Sequence, residues 1–491
     1  MVKPIPKLIF RIEPAYSFQQ ELKAPLFREN NILVGMIGCG LELEAIFLGK
    51  IAEYGKNLNI WLDCEGAHAI YVIGKRRSGK TYTLGVIAEG LVSNKWLKQG
   101  DQKQAILVLD TMNVFITSSY SVKEICKERS KEFEEFKKWS LEQEKLNIVF
   151  FYPKGSPSSP EGVSQEIAIR PADLDDKDWA ALFNVDIYKD PIGQLISELY
   201  EKVALEGYKD LNGKYIQANQ NYSLIDLLNC LDNCPEIQRS YQSDTIRAVK
   251  SRFKAIKRLP IFSEEGIDIK KIFSCGQLSI LLLRDIDQNL RALLVGILIK
   301  KIMELRSISD RFERLCRVHR ERFEHFKEIG DEKKANEAYQ KYSEYKQKAQ
   351  EGLPRGWIII DEAHNYMPSR GITPSAEPLR KYVNEGRNLG LSIVVATQNP
   401  SALDPSIRRN ADILIVHSIS MRDDIFTAEG MVNTFIPDLF EFGRVKISTR
   451  VFEQLVRSLP IGYAVISNDM INRVLVAKIR PRITIHGGIE Y

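Results

Sequence analysis

Residues Gly74-Lys75-Arg76-Arg77-Ser78-Gly79-Lys80-Thr81 constrain this chain more than any other stretch. An apolar run, Ala69 to Ile73, leads into them and a helix-like segment, Tyr82 to Leu91, leads out. That context turns a glycine pattern into a phosphate cradle: the glycines let the backbone curl, successive N–H groups point inward, and the helix N-terminus favours an anion. Lys80 is placed to reach the β- and γ-phosphates of a nucleoside triphosphate and the Thr81 hydroxyl to hold Mg²⁺. The candidate nucleotide-binding stretch runs from Gly74 through Lys75, Arg76, Arg77, Ser78, Gly79, Lys80 and Thr81 to Tyr82. The competing reading is a glycine-rich turn with a basic tail.

A chain of 491 residues has room for two to four domains, and 44% hydrophobic content supplies large cores. No apolar run reaches the roughly 18 residues of a membrane helix. Pro4, Pro6 and Arg11 leave the N-terminus without the apolar stretch of a signal peptide, so a cytoplasmic location and no membrane are expected. Seven cysteines are too few for a disulfide framework. Cys230 and Cys234 read as small apolar residues on a helix rather than metal ligands. A net charge of +5 permits a nucleic-acid partner without demanding one.

The expected fold class is α/β, with a mostly parallel sheet interrupted by helical insertions. Residues 1–66 read as a small N-terminal β domain, from Ile32 to Met36, Ile46 to Gly49 and Asn59 to Leu62. Residues 67–119 open the core, with a second buried-type strand at Ala105 to Asp110. A helical insertion is expected over 120–270, the core resumes over 271–305, and a charged helical hairpin spans 306–354. In the hairpin, Phe312, Leu315, Phe323 and Phe326 form one stripe; Ala338, Tyr342, Tyr345 and Ala349 form another. The core returns over 355–447, and a C-terminal β segment occupies 448–491.

The strand Trp357 to Ile360 ends in Asp361 and Glu362. Two carboxylates there suit hydrolysis: Asp361 for the Mg²⁺ shell, Glu362 to orient and deprotonate water. Leu391 to Thr397 is also strand-like and is followed by Gln398, placed to sense the γ-phosphate or, alternatively, to cap the Pro400 turn. Between them, Pro378 to Leu389 reads as a helix closed by Gly390, with Arg387 near its C-terminal end. Arg387 either complements the helix dipole or serves a neighbouring subunit as an arginine finger, and spacing leaves both open.

With these elements in order, the chain resembles the HerA branch of the HerA/FtsK superfamily of ring-forming, RecA-like (ASCE) P-loop ATPases. The resemblance rests on the phosphate loop, the strand ending at Asp110, the Ile360-Asp361-Glu362-Ala363-His364 box, Glu385-Gly386-Arg387, Thr397-Gln398-Asn399-Pro400-Ser401 and the tail Arg480-Pro481-Arg482 to His486-Gly487-Gly488. It implies a hexamer with ATP and Mg²⁺ at each junction. Lys80, Thr81, Asp361, Glu362 and Gln398 would act in one subunit and Arg387 in trans. It further implies threading of double-stranded DNA alongside a partner nuclease, or, in defence loci, ATP-governed assembly of another effector. The tail implies an inter-subunit role for Arg482 and His486. Three features depart from the family pattern: a short N-terminal segment, the charged Lys75-Arg76-Arg77, and Thr111-Met112-Asn113 after Asp110.

One stretch offers a nucleic-acid contact. Over Thr245 to Leu259, Arg247, Lys250, Lys254 and Lys257 share a helical face opposite the apolar stripe Ile246, Val249, Phe253 and Ile256. The basic face either follows a phosphate backbone or is simply solvated.

Overall fold

The computed structural model describes residues 31–35, 44–52, 58–93, 104–122, 130–157, 159–371, 373–432, 439–442, 445–448, 452–468 and 474–488. The reading of Pro4, Pro6 and Arg11 lies outside them, as does Met36.

The strands are β1 Asn31–Val34, β2 Ala45–Ile51, β3 Asn59–Asp63, β4 Ala69–Ile73, β5 Ala105–Asp110, β6 Ile148–Pro153, β7 Ser164–Ile167, β8 Tyr208–Lys209, β9 Tyr215–Ile216, β10 Leu278–Leu282, β11 Gly356–Ile360, β12 Leu391–Thr397, β13 Ile413–Val416, β14 Leu439–Phe442, β15 Val445–Ser448, β16 Tyr463–Asn468 and β17 Leu475–Ile479. Thirteen join one sheet in the order β1-β3-β2-β17-β16-β13-β4-β12-β11-β5-β10-β6-β7; β8-β9 and β14-β15 are separate hairpins. From β13 to β7 every pairing is parallel. These strands read as uninterrupted apolar runs because both faces are covered, as β4, β5, β10, β11, β12 and β13 are along their whole length. The decisive feature is β12, which lies between the phosphate-loop strand β4 and the acidic strand β11. That insertion is the RecA-like, ASCE strand order expected.

Three sequence expectations change. Among the described residues, β1, β2 and β3 join the large sheet instead of standing apart from it, because β17 offers its edge to β2. The block over 120–270 is not wholly helical: Ile148 to Tyr152 is a short, β-branched and aromatic run, and it becomes a sheet strand beside β10. The apolar helix before residue 306 and the first arm of the charged hairpin are one helix.

Five helices matter below: α1 Lys80–Val92, α2 Ser243–Ile256, α3 Gln288–Glu328, α4 Glu332–Gln350 and α5 Ala376–Glu385. With 41 residues, α3 is about 60 Å long. Its root is buried in the core and its outer arm meets α4 through the expected stripes, joined by His319 and Tyr339. Phe312 stacks on Tyr345 at 6.1 Å and Phe323 meets Tyr339 at 5.3 Å. No helix among the described residues is long and apolar enough to cross a membrane. Cys230 and Cys234 are buried and free.

Two buried charge clusters tie distant parts of the chain together. His68, just ahead of β4, bonds Asp412 at 2.7 Å and Asp63 at 3.3 Å. Burial opposes its charge, but the hydrogen bonds to Asp412 and Asp63 prevail and lift its pKa to about 9. A folded pKa above the unfolded value stabilises fully below the unfolded pKa of about 6.5 and is lost as pH rises through 9. The expected loss across that window is about 3 kcal/mol. Urea unfolding at pH 6 and pH 9.5 should show it in the wild type and not in His68→Gln; equal losses in both would refute it.

The second cluster is Glu89 on α1, buried with Arg480 and Arg482. Its carboxylate accepts from Arg482 Nε at 2.8 Å, the Ile483 amide at 2.8 Å and the Thr484 hydroxyl at 2.5 Å, with Arg480 at 3.6 Å. Gly85 admits Arg482: a Cβ there would lie 2.6 Å from the guanidinium carbon. Removing the acid strands two buried cations, so Glu89→Ala is expected to lose roughly 3–5 kcal/mol in urea unfolding. The surface control Glu135→Ala, which breaks contacts with Lys138 and Lys478, should change stability by less than about 1 kcal/mol.

Candidate active site

Parallel pairing in register brings the site to one edge. Thr397 pairs with Ile73, Val416 with Ile73 and Ile360 with Val395, so the phosphate loop, Asp361, Gln398 and His417 all follow the carboxyl ends of adjacent strands. Open α/β sheets bind ligands at that edge.

The loop is held on several sides. The Lys75 amide donates to Ser418 O at 2.8 Å, while Lys75 O accepts from the Ser78 hydroxyl at 2.8 Å and from Lys80 Nζ at 3.0 Å. Gly79 caps α1 at φ 109°, a conformation L side chains rarely adopt. Burial pushes the Lys80 ammonium below the ordinary lysine range, and the charges of Glu362 and Asp361 oppose this. Thr81 Oγ1 donates to Asp361 Oδ2 at 2.7 Å. Glu362 takes φ 51°, left-handed for a non-glycine residue. Its Oε2 is buried without a hydrogen-bond partner among the described residues. Burial raises the pKa of both carboxyls, the Asp361 charge raises Glu362 further, and the Lys80 charge and a hydrogen bond donated by the Gln398 backbone amide oppose it. Gln398 Oε1 accepts from Arg76 Nε at 3.3 Å.

Two histidines complete the floor and were not assigned roles from sequence. His417 Nδ1 faces the Tyr463 carbonyl at 2.8 Å, so Nδ1 carries the proton and Nε2 accepts from the Thr83 hydroxyl at 2.9 Å. Burial drives its pKa down to about 4. Neutral His417 thus props the loop between two strands and the first turn of α1. His364 Nδ1 lies 3.0 Å from Thr397 Oγ1 and 3.5 Å from Glu362. Its position two residues beyond Glu362 was the available signal; His417, at the end of an ordinary strand, gave none. Asp110 has a structural task, accepting from the amides of Met112, Val114 and Phe115 to cap the turn beyond β5.

Other expected residues lie elsewhere. The Tyr82 side chain turns to the tail: its hydroxyl accepts from the Arg482 amide at 2.8 Å and its ring meets His486 edge-on at 5.4 Å. Only its backbone stays with the loop. Arg482 is 2% exposed and spends its guanidinium on Glu89, Ser118, Thr484 and His486 of its own chain. Burial on α1 thus engages Arg482 within its own chain, and half-buried His486 packs beside it. On α2 the apolar stripe is buried as expected; exposed Arg247 pairs with Asp244 and Lys250 with Asp232, while Lys254 and Lys257 are exposed along the same ridge.

Arg387 occupies the turn that precedes β12, at the sheet edge opposite the phosphate loop. Seven residues of strand separate it from Gln398, about 23 Å. The root of α3 fixes that turn: Arg306 Nε donates to Leu389 O at 2.7 Å and Arg314 to Asn388 O at 3.0 Å. Arg387 is exposed and lines a cavity of about 340 Å³ with Arg314, Arg317 and Arg355.

A RecA-like sheet with this loop and this acidic strand defines a P-loop NTPase. The chain belongs to the family described as Helicase HerA, central domain, whose sequence profile matches residues 46–302, more than half of it. A second profile, described as Zonular occludens toxin (Zot), matches residues 298–433. A comparison with curated proteins finds no match. Similar solved structures include VirB4 of Thermoanaerobacter pseudethanolicus, at 11% identity over 89% of this chain and 96% of that one, with a TM-score of 0.49. The plasmid coupling protein TrwB, in complex with the non-hydrolysable GTP analogue GDPNP, is 12% identical over 93% and 98%, with a TM-score of 0.48. The genome packaging NTPase B204 from Sulfolobus turreted icosahedral virus 2, in complex with AMP, is 11% identical over 84% and 97%, with a TM-score of 0.27.

Proposed function

We propose that this protein is a Mg²⁺-dependent ATPase that forms a cytoplasmic ring, six-membered by resemblance, and translocates on double-stranded DNA with a partner nuclease or other effector. The observation that carries the reading is the split between the two edges of the sheet. Lys80, Thr81, Asp361, Glu362 and Gln398 gather at one edge, and Arg387 stands at the other, held by Arg306 and Arg314. A guanidinium that far from its own phosphate loop serves nucleotide only when a second copy brings its loop alongside.

Thr81 and Asp361 fit Mg²⁺: their oxygens already meet at 2.7 Å, and both are hard oxygen donors. The ion would neutralise charge on the β- and γ-phosphate oxygens. Lys80 binds those phosphates, and Glu362, whose buried Oε2 has no hydrogen-bond partner among the described residues, takes the proton of the attacking water. Gln398 orients that water. DNA phosphates meet exposed cations such as Lys254 and Lys257, without base readout.

A second reading, a nucleotide-governed scaffold for a defence effector, is favoured by the long hairpin and its exposed Val318, Ile329 and Tyr339. The test is ATP turnover of the purified protein with Mg²⁺, with and without linear duplex DNA and with and without the product of the adjacent gene. Stimulation by duplex DNA is the expected result. Turnover indifferent to DNA in both settings would refute translocation and leave the scaffold.

A further inference from the structure

The phosphate loop carries a guanidinium, that of Arg76, and the structure assigns that group a partner. Arg76 Nε donates to Gln398 Oε1 at 3.3 Å, spanning from the loop to the carboxyl end of β12. Its charge acts on both Glu362 and Lys80, the groups that frame the terminal phosphate position. The side chain springs from a fixed pivot, since the amide of Lys75 is pinned to Ser418 and its carbonyl holds both Ser78 and Lys80. Arg77 follows at φ 60°, so the chain turns sharply just beyond Arg76. The guanidinium itself is exposed and able to change partners.

We propose that Arg76 is a catalytic arginine supplied in cis by the phosphate loop, and that its bond to Gln398 is the resting half of a two-position device. The inference rests on the ATPase reading above. A single hydrogen bond from the guanidinium to a neutral amide oxygen is weaker than an ion pair with a phosphate, in which donor and acceptor are both charged. Bound triphosphate therefore draws Arg76 from Gln398 onto the γ-phosphate. The same move frees Gln398 Oε1 to accept a hydrogen bond from the attacking water. In the step that follows, the water oxygen bonds to the γ-phosphorus as the bridge to the β-phosphate breaks. ADP keeps the bridging electron pair, and the water proton passes to Glu362. Arg76 stabilises the charge that develops on the equatorial and bridging oxygens. A diphosphate lacks the group that draws Arg76 across, so ADP leaves the bond to Gln398 in place.

The experiment compares wild type, Arg76→Ala and Arg76→Lys, with Kd for ATPγS and for ADP measured by displacement of a fluorescent nucleotide, alongside MgATP turnover. Arg76→Ala should bind ADP within about twofold of wild type, lose about tenfold for ATPγS, and lose about 10²- to 10³-fold in kcat. Arg76→Lys should recover the ATPγS affinity and only part of kcat, because an ammonium lacks the planar fork. Mixing Arg76→Ala with Lys80→Ala subunits, which keep Arg76, should give no rescue. Wild-type kcat in Arg76→Ala would overturn the proposal. Rescue in mixed assemblies would also overturn it, by placing the guanidinium in a neighbour's site. If wild type never turns over ATP while Arg76→Ala still loses its ATPγS preference, the hydrolytic reading falls and the contact to the γ-phosphate stands.

Discussion

Glu362→Gln is expected to bind ATP and stall, with kcat reduced by about 10²- to 10⁴-fold, the range a positioned general base contributes. The substitution keeps the shape and the hydrogen bond from the Gln398 amide while removing the proton acceptor. Its effect on stability should be small or favourable, because burial and the neighbouring Asp361 both act against the carboxylate charge. The informative measurement is a single turnover with radiolabelled ATP: unhydrolysed nucleotide retained on the protein is the expected result. Multiple turnovers at the wild-type rate would remove Glu362 from the role of base.

Lys80→Ala acts one step earlier. Nζ is the buried cation of the loop, and truncating one partner of a buried charge contact with phosphate removes roughly 3–5 kcal/mol, about 10²- to 10⁴-fold in Kd. The loop itself should persist, because the Ser78 hydroxyl still bonds Lys75 O and Lys75 still bonds Ser418. The two variants therefore separate binding from chemistry. Calorimetric titration with ATPγS reads the first and turnover reads the second; a Lys80→Ala protein with wild-type affinity would exclude this loop as the phosphate site.

What could be read from the sequence was what local rules encode. The phosphate loop is contiguous, its strand and helix flank it directly, and the apolar run ending in Asp361-Glu362 has the length and composition of a doubly covered strand. Gln398 was legible by the same logic, as the polar residue just past another such run. The remainder depends on contacts that no spacing encodes. His417 meets Thr83 across 334 residues, and Arg482 reaches Glu89 across 393. Arg482 thus looked like a tail residue while being a core cation. Arg76 looked like an intrusion in the loop until β12 brought Gln398 beside it. The sheet edge misled as well: the strands at residues 31–63 look self-contained until β17 arrives to pair with them. Ile148 to Tyr152 was overlooked because the segments after it read as helical, and a short strand amid helices carries little periodicity.

The position of β4 has a consequence for how the molecule is made. Both of its sheet neighbours, β12 and β13, are encoded more than 300 residues later. Glu89 meets its compensating guanidiniums only at residues 480 and 482. During synthesis, β4 and Glu89 therefore emerge as an unpaired strand and an uncompensated acid, and both wait for more than 300 further residues before they are satisfied. Contacts so distant in sequence slow folding, and unpaired strand edges aggregate. A phosphate loop seated in its finished sheet therefore has to await the synthesis of β12 and β13.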